Sequence, residues 1–440
     1  MKTKIVLSFL FLTLMLSAHA QQPQNALGLQ ECINIALENN LKIKRSVYNV
    51  ETYDVNLLQS KMAFLPSVNL GGSYGQNYGR ALNPVSNEYV NRNSNTINVQ
   101  GNASLTLFNG FKLQNTFKQN KKDFEASNED LKKAKNDVML NVATLYINVV
   151  FNKELYENAN YQLNSSQQQL DRISKQVEAG ALSLSNKLSQ EAQVATNEVN
   201  LINQENALNL SLLQLKQAMQ VPASQQLDVI VPALDIKDLI ISETPDQVYA
   251  VAKEVMPEIK SAQLKVQSSK LAFQANRGNL YPKLTFNAGG QSNYSSITNS
   301  PELNQLRDNL FKNMNLQLSI PIFNNYQTKG SVQRSFISEK VAEVTYLEAE
   351  NTLRQSIETS YNDAVAAAKT YTSSLKQVQA QQEAYRMNQQ RYENGALSFV
   401  EYHVSENDLF RAKSDLTRAK YSFIFRKKVL DFYQGKPLEY

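Results

Sequence analysis

The hydrophobic period along the chain switches from helical to strand-like and back, and it does so twice. Residues 29–63 place Ile33, Ala36, Leu37, Leu41, Val47, Val50 and Leu57 at helical spacing, and Pro66 stops the run. The period then drops to two. Val68, Leu70, Tyr74 and Tyr78 alternate with Ser67, Asn69, Ser73 and Asn77, and after a polar loop over 79–95 Ile97, Val99, Ala103, Leu105 and Leu107 alternate with Thr96, Asn98, Gln100, Asn102, Ser104 and Thr106. Such alternation predicts strands at about 67–78 and 96–107. A second pair follows at about 283–294 and 312–322, with Leu284, Phe286 and Ala288, then Met314, Leu316, Leu318 and Ile322, on the apolar side; 295–309 reads as the loop between them.

Each strand pair leads into a heptad pattern. Val142, Val149, Tyr156, Leu163, Leu170 and Val177 recur every seven residues, and so do Ile357, Ala364, Tyr371, Val378, Tyr385 and Tyr392. The returning segments carry Val194, Leu201, Leu208 and Leu215, and Leu409, Leu416, Phe423 and Leu430. Strict spacing of seven over this length predicts long helices packed as coiled coils. The long hairpins run over about 113–219 and 328–433, and a helix of about 65 residues is a rod of roughly 100 Å.

The two series are copies. Pro66 and Pro282 stand 216 residues apart, while Phe108 and Phe323, or Gly180 and Gly395, stand 215 apart. A repeat of this length is a duplicated supersecondary unit, not a solenoid of short modules. It divides the chain into a first repeat at 21–222, a linker at 223–245 and a second repeat at 246–440, with Pro222, Pro232 and Pro245 punctuating the joint between the halves.

The first 20 residues stand outside this pattern. Lys2 and Lys4 precede an apolar run from Ile5 to Leu16, and Ala18-His19-Ala20 follows, the layout of a cleaved secretory signal. The residue after the cleavage site is Gln21, not the cysteine that a lipid anchor needs. Cys32 is the only cysteine, so no intrachain disulfide forms, and its helical surroundings suit a small buried apolar side chain. The net charge of +5 falls to about +3 without the signal, and charges of both signs are mixed along helical stretches, which is no nucleic-acid balance. After the signal no apolar run is long enough for a spanning helix.

Chemistry is sparse. The mature chain has one histidine, His403, and no nucleophile–base grouping, metal-ligand spacing or phosphate loop, so neither catalysis nor a cofactor is expected. Glu401 and His403 read as residues of a solvated helix face. The strands carry the functional argument instead. Apolar on one face and Asn, Gln, Ser and Thr on the other is the pattern of an outer-membrane barrel. Four strands cannot close one, and open edges are not tolerated in lipid, so the barrel must be shared between copies of the chain. The alternative is a secreted coiled-coil scaffold or adhesin without a pore.

This arrangement of two halves, each helix, strand, loop, strand, long helix, glycine turn and helix, resembles the TolC family of outer-membrane efflux proteins. The resemblance rests on Phe64-Leu65-Pro66, Leu280-Tyr281-Pro282, Leu107-Phe108-Asn109-Gly110, Ile320-Pro321-Ile322-Phe323 and the two Gly-Ala-Leu-Ser segments, and covers nearly all of the mature chain. It implies a mainly α fold with a membrane β-barrel portion: a homotrimer with an α-barrel and a shared twelve-stranded β-barrel, in the outer membrane with a periplasmic extension. The implied function is the exit duct of a tripartite efflux or type I secretion system, passive and without enzyme activity. The implied partners are outer-membrane lipid, a periplasmic adaptor docked on the helical tips, and an inner-membrane pump of RND or ABC type.

On this resemblance the docking tips are Gly180, Ala181, Leu182 and Ser183, and Gly395, Ala396, Leu397 and Ser398. The tunnel gate carries over to Glu401, Tyr392 and Asn186. Glu401 takes the family's first acidic position after the second tip, while Val404 stands where a second acid is usual. Asn186 replaces the usual aspartate partner of Tyr392, which implies a neutral hydrogen bond in place of a charged one.

Overall fold

A computed structural model describes residues 26–83, 86–232, 241–298 and 300–436. The signal segment ending at Ala20 lies outside them. Within the described residues each half of the chain runs through two short helices, a long strand, a connection, a second long strand and two long helices. The first half holds α1 (Leu29–Asn39), α2 (Leu41–Met62), β1 (Ser67–Asn77), β2 (Arg80–Leu82), β3 (Tyr89–Asn91), β4 (Ser94–Phe108), α3 (Lys112–Glu178) and α4 (Leu184–Met219). The second holds α5 (Pro245–Val255), α6 (Pro257–Gly278), β5 (Lys283–Ser295), α7 (Glu302–Asp308), β6 (Phe311–Ser319), α8 (Gln327–Glu393) and α9 (Phe399–Tyr433).

Four details differ from the sequence reading. The helix expected over 29–63 is broken at Asn40, whose backbone is extended; its side chain accepts from the Lys42 amide and donates to the Ala218 carbonyl. Met256, extended before Pro257, makes the equivalent break between α5 and α6. The 79–95 loop contains the β2–β3 hairpin, and the 295–309 loop contains α7. The strand expected to reach 322 ends at Ser319, just before Ile320 and the strand-breaking Pro321.

The described residues form two compact units, and neither is a sequence half: one comprises residues 26–45, 132–232, 241–256 and 352–436, the other 46–83, 86–131, 257–298 and 300–351. In the first unit the heptad positions do the packing. Val142, Val149, Ile357, Ala364, Leu215, Phe423 and Leu430 are buried, and none of the heptad residues is exposed. Cys32 is fully buried beside Ile33 and Ala36 on α1. A parallel bridge between Leu27 and Val229 joins two distant segments of this unit, and α3 clamps it: Tyr146 donates to the Ile230 carbonyl at 2.7 Å and Lys153 pairs with Asp228 at 2.7 Å. Burial pushes the Tyr146 phenol up to about 12.

The second unit contains a four-stranded antiparallel sheet in the order β1-β4-β5-β6, which places β1 and β6 at its edges. Beside the sheet, Gly110 and Gly278 approach so closely that a Cβ on Gly110 would overlap the Gly278 carbonyl. Gly110 also has φ of +65°, so the glycine of the Leu-Phe-Asn-Gly motif answers both a steric and a conformational demand.

Candidate functional site

Register decides which residues share a face of the sheet. Val99 pairs with Gly72 and Ser292, Leu105 with Phe286, and Leu318 with Leu284. Paired residues point the same way, so Val68, Leu70, Tyr74, Ile97, Val99, Leu105, Phe286, Met314, Leu316 and Leu318 form one face. Leu70 and Met314 are about four-fifths exposed, at 82% and 79%. The opposite face is amide and hydroxyl: Asn69, Asn98, Gln100, Asn102, Ser104, Asn287, Gln291, Asn315 and Gln317. Its side chains bond across strands, with Ser104 donating to Asn287 Oδ1 at 2.8 Å and Asn287 to Asn315 Oδ1 at 3.1 Å. Alternation along one strand has become a two-sided sheet, wet on one side and oily on the other except near one end, where Phe311 falls beside Gln291 on the amide face and Ser292 and Lys312 fall on the apolar one.

The two glycine turns lie in the other unit. α3 ends with the Gly180 amide bonded to the Val177 carbonyl and the Ala181 amide to Gln176; α8 ends with Gly395 bonded to Tyr392 and Ala396 to Arg391. Both are Schellman caps, and both glycines have positive φ, +74° and +72°. A Cβ at either would meet nothing within 4 Å, so conformation and not crowding asks for glycine there. Ala181, Ser183, Ala396 and Ser398 are exposed; Leu182 and Leu397 are half-buried.

Side chains then separate the two tips. Ser398 accepts from the Glu401 amide, and the Glu401 carboxylate accepts from the Ser398 amide at 3.1 Å and its hydroxyl at 2.7 Å, a complete capping box. These bonds hold the Glu401 carboxyl below the usual carboxylate range. Ser183 makes no side-chain cap. Behind the second tip Tyr392 stacks on Tyr402 with centroids 4.9 Å apart and planes at 10°, and the Tyr385 and Tyr402 hydroxyls meet at 3.0 Å. Burial, and then the bond to Tyr385, push the Tyr402 phenol well above its ordinary value.

Asn186 and Tyr392 line the same cavity, of about 890 Å³, with Arg172, Gln389, Gly395 and Leu397 among its other walls. The hydrogen bond expected between them is absent: Tyr392 is held by ring stacking, and its phenol is pushed up by burial. Glu401 is exposed, and so is Val404.

His403 is the clearest correction. It is buried, not solvated, with Nε2 2.6 Å from Gln190 Oε1 and Nδ1 3.0 Å from Glu406 Oε2. Gln190 comes from α4, 213 residues away in sequence, so no local pattern pointed to it. The one sequence signal was the run Phe399, Tyr402, His403, Glu406, which lies on a single helix face.

Comparison with known proteins agrees with this geometry. The family model described as outer membrane efflux protein matches residues 32–220 and 248–431. The outer membrane efflux protein BepC of Brucella suis is 23% identical over 397 residues, covering 88% of this chain and 81% of that protein. Outer membrane protein TolC of Escherichia coli is 22% identical over 413 residues, covering 91% and 80%. The crystal structure of the outer membrane protein VceC from Vibrio cholerae superposes with a TM-score of 0.77 at 14% identity, covering 93% of this chain and 97% of that one. These relatives leave the pore-free scaffold without support. With most of its length matched in two repeated segments, this chain belongs to the outer membrane efflux protein family, the channel-forming outer-membrane members of efflux systems.

Proposed function

We propose that three copies of the chain pool their strands into one twelve-stranded barrel, apolar face to lipid and amide face to a water-filled lumen. The two-sided register of the sheet carries this reading. The free edges support it as well. Neighbours in the order β1-β4-β5-β6 are antiparallel, so β6 of one copy meets β1 of the next antiparallel too, and the ring closes with an even strand count. A closed ring leaves no unpaired backbone in lipid.

The chain then serves as the outer-membrane duct of a tripartite system, taking cargo from an inner-membrane pump through a periplasmic adaptor. The adaptor docks on the tips at Gly180–Ser183 and Gly395–Ser398, whose compact Schellman turns expose only small side chains, those of Ala181, Ser183, Ala396 and Ser398, and leave Leu182 and Leu397 half-buried. Glu401, repeated three times near the mouth, sets cation preference, with Tyr392 and Asn186 in the mouth's wall. The 1–20 signal is removed on export, and the two repeats, at 21–222 and 246–440, each supply a strand pair and a hairpin.

Two experiments test the assembly. Crosslinking of detergent-extracted protein is expected to give a band of about three times the single-chain mass; a conducting monomer overturns the trimer. Val99→Arg, on the oily face, is expected to cost roughly 2–4 kcal/mol near the bilayer midplane, and Gln100→Arg far less. Equal assembly defects overturn the assignment of faces.

A further inference from the structure

In both halves the turn from strand to long helix holds an aromatic residue in the left-handed region. Phe111 has φ of +63° and Tyr326 of +65°, and the two stand 215 residues apart, the offset of the repeat. Positive φ is rare and costly for an aromatic residue. Both side chains are 61% exposed, so burial within the chain does not offset the strain.

Each of these rings lines a cleft that also holds one cation. The first cleft, of about 380 Å³, lies where β4 and β5 meet α3 and α6. Phe108, Phe111 and Tyr281 supply its aromatic lining, and Arg277, Asn115 and Gln274 its polar groups. The second, of about 120 Å³, carries the repeat equivalents Phe323 and Tyr326 together with Lys329.

Continuity and charge say what fills the first cleft. The register shift between Thr106 and Phe108 sets Phe108 opposite Leu284, so the cleft runs on from the apolar face of the sheet. Arg277 is exposed, with its guanidinium 5.7 Å from the Phe273 ring centroid, and it makes no ion pair among the described residues. No acid competes for it nearby in sequence: residues 89–122, 259–301 and 309–338, which include the walls of both clefts, contain no Asp or Glu. The matching ligand has an apolar body along the sheet and an anionic head at the arginine. At a bilayer surface aromatic rings sit at headgroup level, and an arginine among them reaches the phosphates.

We propose that the Arg277 cleft seats an anionic phospholipid, its phosphate on Arg277 and its glycerol region against Phe111 and Tyr281. The site rests on the barrel reading, because it needs the apolar face of the sheet in lipid. The strained turn then holds the Phe111 ring out where the headgroup zone buries it. The second cleft stands beside the edge strand β6, where a neighbouring copy also approaches; β4 and β5 are inner strands, so their cleft is the one assigned to lipid.

The chain has no tryptophan, so Phe111→Trp places a single fluorophore in the cleft. The full protein carrying it is reconstituted in phosphatidylcholine vesicles with a minor share of brominated phosphatidylglycerol or brominated phosphatidylcholine. From the quenching, phosphatidylglycerol is expected to bind about fivefold more tightly, the preference that one cation gives at an anionic surface. Phe286→Trp, on the apolar face of the sheet, is expected to be quenched about equally by both lipids. Adding Arg277→Gln is expected to remove the preference at the cleft, and Arg277→Lys to keep it. Tyr281→Trp reports from the same cleft if Phe111→Trp does not assemble. Equal quenching by both lipids at the cleft, or a preference that survives Arg277→Gln, overturns the lipid site and leaves the barrel standing. Inorganic phosphate, compared with chloride at matched ionic strength, is expected to leave the preference intact; its selective loss would make the cleft a bare anion site and overturn the lipid. Absence of quenching by either lipid at Phe286→Trp overturns the barrel reading and the lipid site with it.

Discussion

The two helical tips have one backbone and two chemistries. Both close with a glycine at φ near +70° and the same pair of Schellman hydrogen bonds. After the first tip, α4 begins with Leu184 and Leu188 exposed and no side-chain cap. After the second, α9 begins with a capping box and then buries Phe399, Tyr402, His403, Ser405 and Glu406. The repeat thus preserves the turn and places the polar network on one side of it. Turn geometry is met by one residue type at one position, whereas a buried network needs complementary partners from several helices, which the four-residue tip motif does not specify.

Replacing either glycine tests what the tips share. Gly180→Trp and Gly395→Trp each force a bulky side chain into positive φ at an exposed turn. We expect export to be lost in both while assembly and membrane insertion persist, measured as export of the system's own cargo beside the yield of crosslinked oligomer. Normal export in either variant would remove that tip from the docking surface and make the two tips functionally unequal.

A smaller effect separates what they do not share. Phe399→Ala removes a buried ring that packs edge-on against His403 with centroids 4.3 Å apart, and is expected to cost about 3 kcal/mol. Leu188→Ala, at an exposed site after the first tip, is expected to stay within about 0.5 kcal/mol. Local opening free energies from hydrogen exchange check both. Equal values would mean that the tips pack alike.

The sequence discloses these elements unevenly, for physical reasons. The long helices are legible because a heptad stripe such as Val142 to Val177 repeats its evidence every two turns. The sheet faces are legible because the period of two is local to each strand. The break at Asn40 is not, since it rests on a bond to Ala218 far along the chain. The β2–β3 hairpin escapes because three-residue strands such as Tyr89–Asn91 are too short to display a period. At the site, the glycine turns are readable from Gly-Ala-Leu-Ser. His403 is not, because burial of a lone histidine depends on Gln190 in the other half.

Charge gives the next contrast. Glu401→Gln keeps the capping box, since glutamine serves at that position, and removes only the charge. On the proposed trimer, where three carboxylates around the mouth would focus a negative potential, it is expected to leave assembly intact while lowering cation preference and relieving multivalent-cation block in a planar bilayer. With Val404 in place of a second acid, the block in the parent protein is expected to be shallow. The cap has its own pH signature. The Glu401 carboxyl is held below its usual range, so its contribution is complete above the unfolded carboxylate value and is lost as pH falls through the lower folded one. Unchanged selectivity and block in Glu401→Gln would leave Glu401 as a helix cap alone, and the second tip would differ from the first in packing only.

The smallest effect tests the role of Tyr392. A tyrosine tied to Asn186 would loosen the mouth on losing its hydroxyl, and conductance would rise. Here the ring is stacked flat on Tyr402 and makes no such bond, so the hydroxyl is dispensable. Tyr392→Phe keeps the stack and is expected to leave single-channel conductance and tip protection within error of the parent. Tyr392→Leu keeps an apolar side chain and loses the aromatic contact, which is worth about 0.5–1.5 kcal/mol beyond its area. Protection of 399–409 is therefore expected to fall in the leucine variant and not in the phenylalanine one. If the phenylalanine variant conducts more, the hydroxyl bonds something in the assembled trimer that a single chain does not offer. The two tips would then be joined across subunits by a polar contact, and not within one chain by a stack of rings.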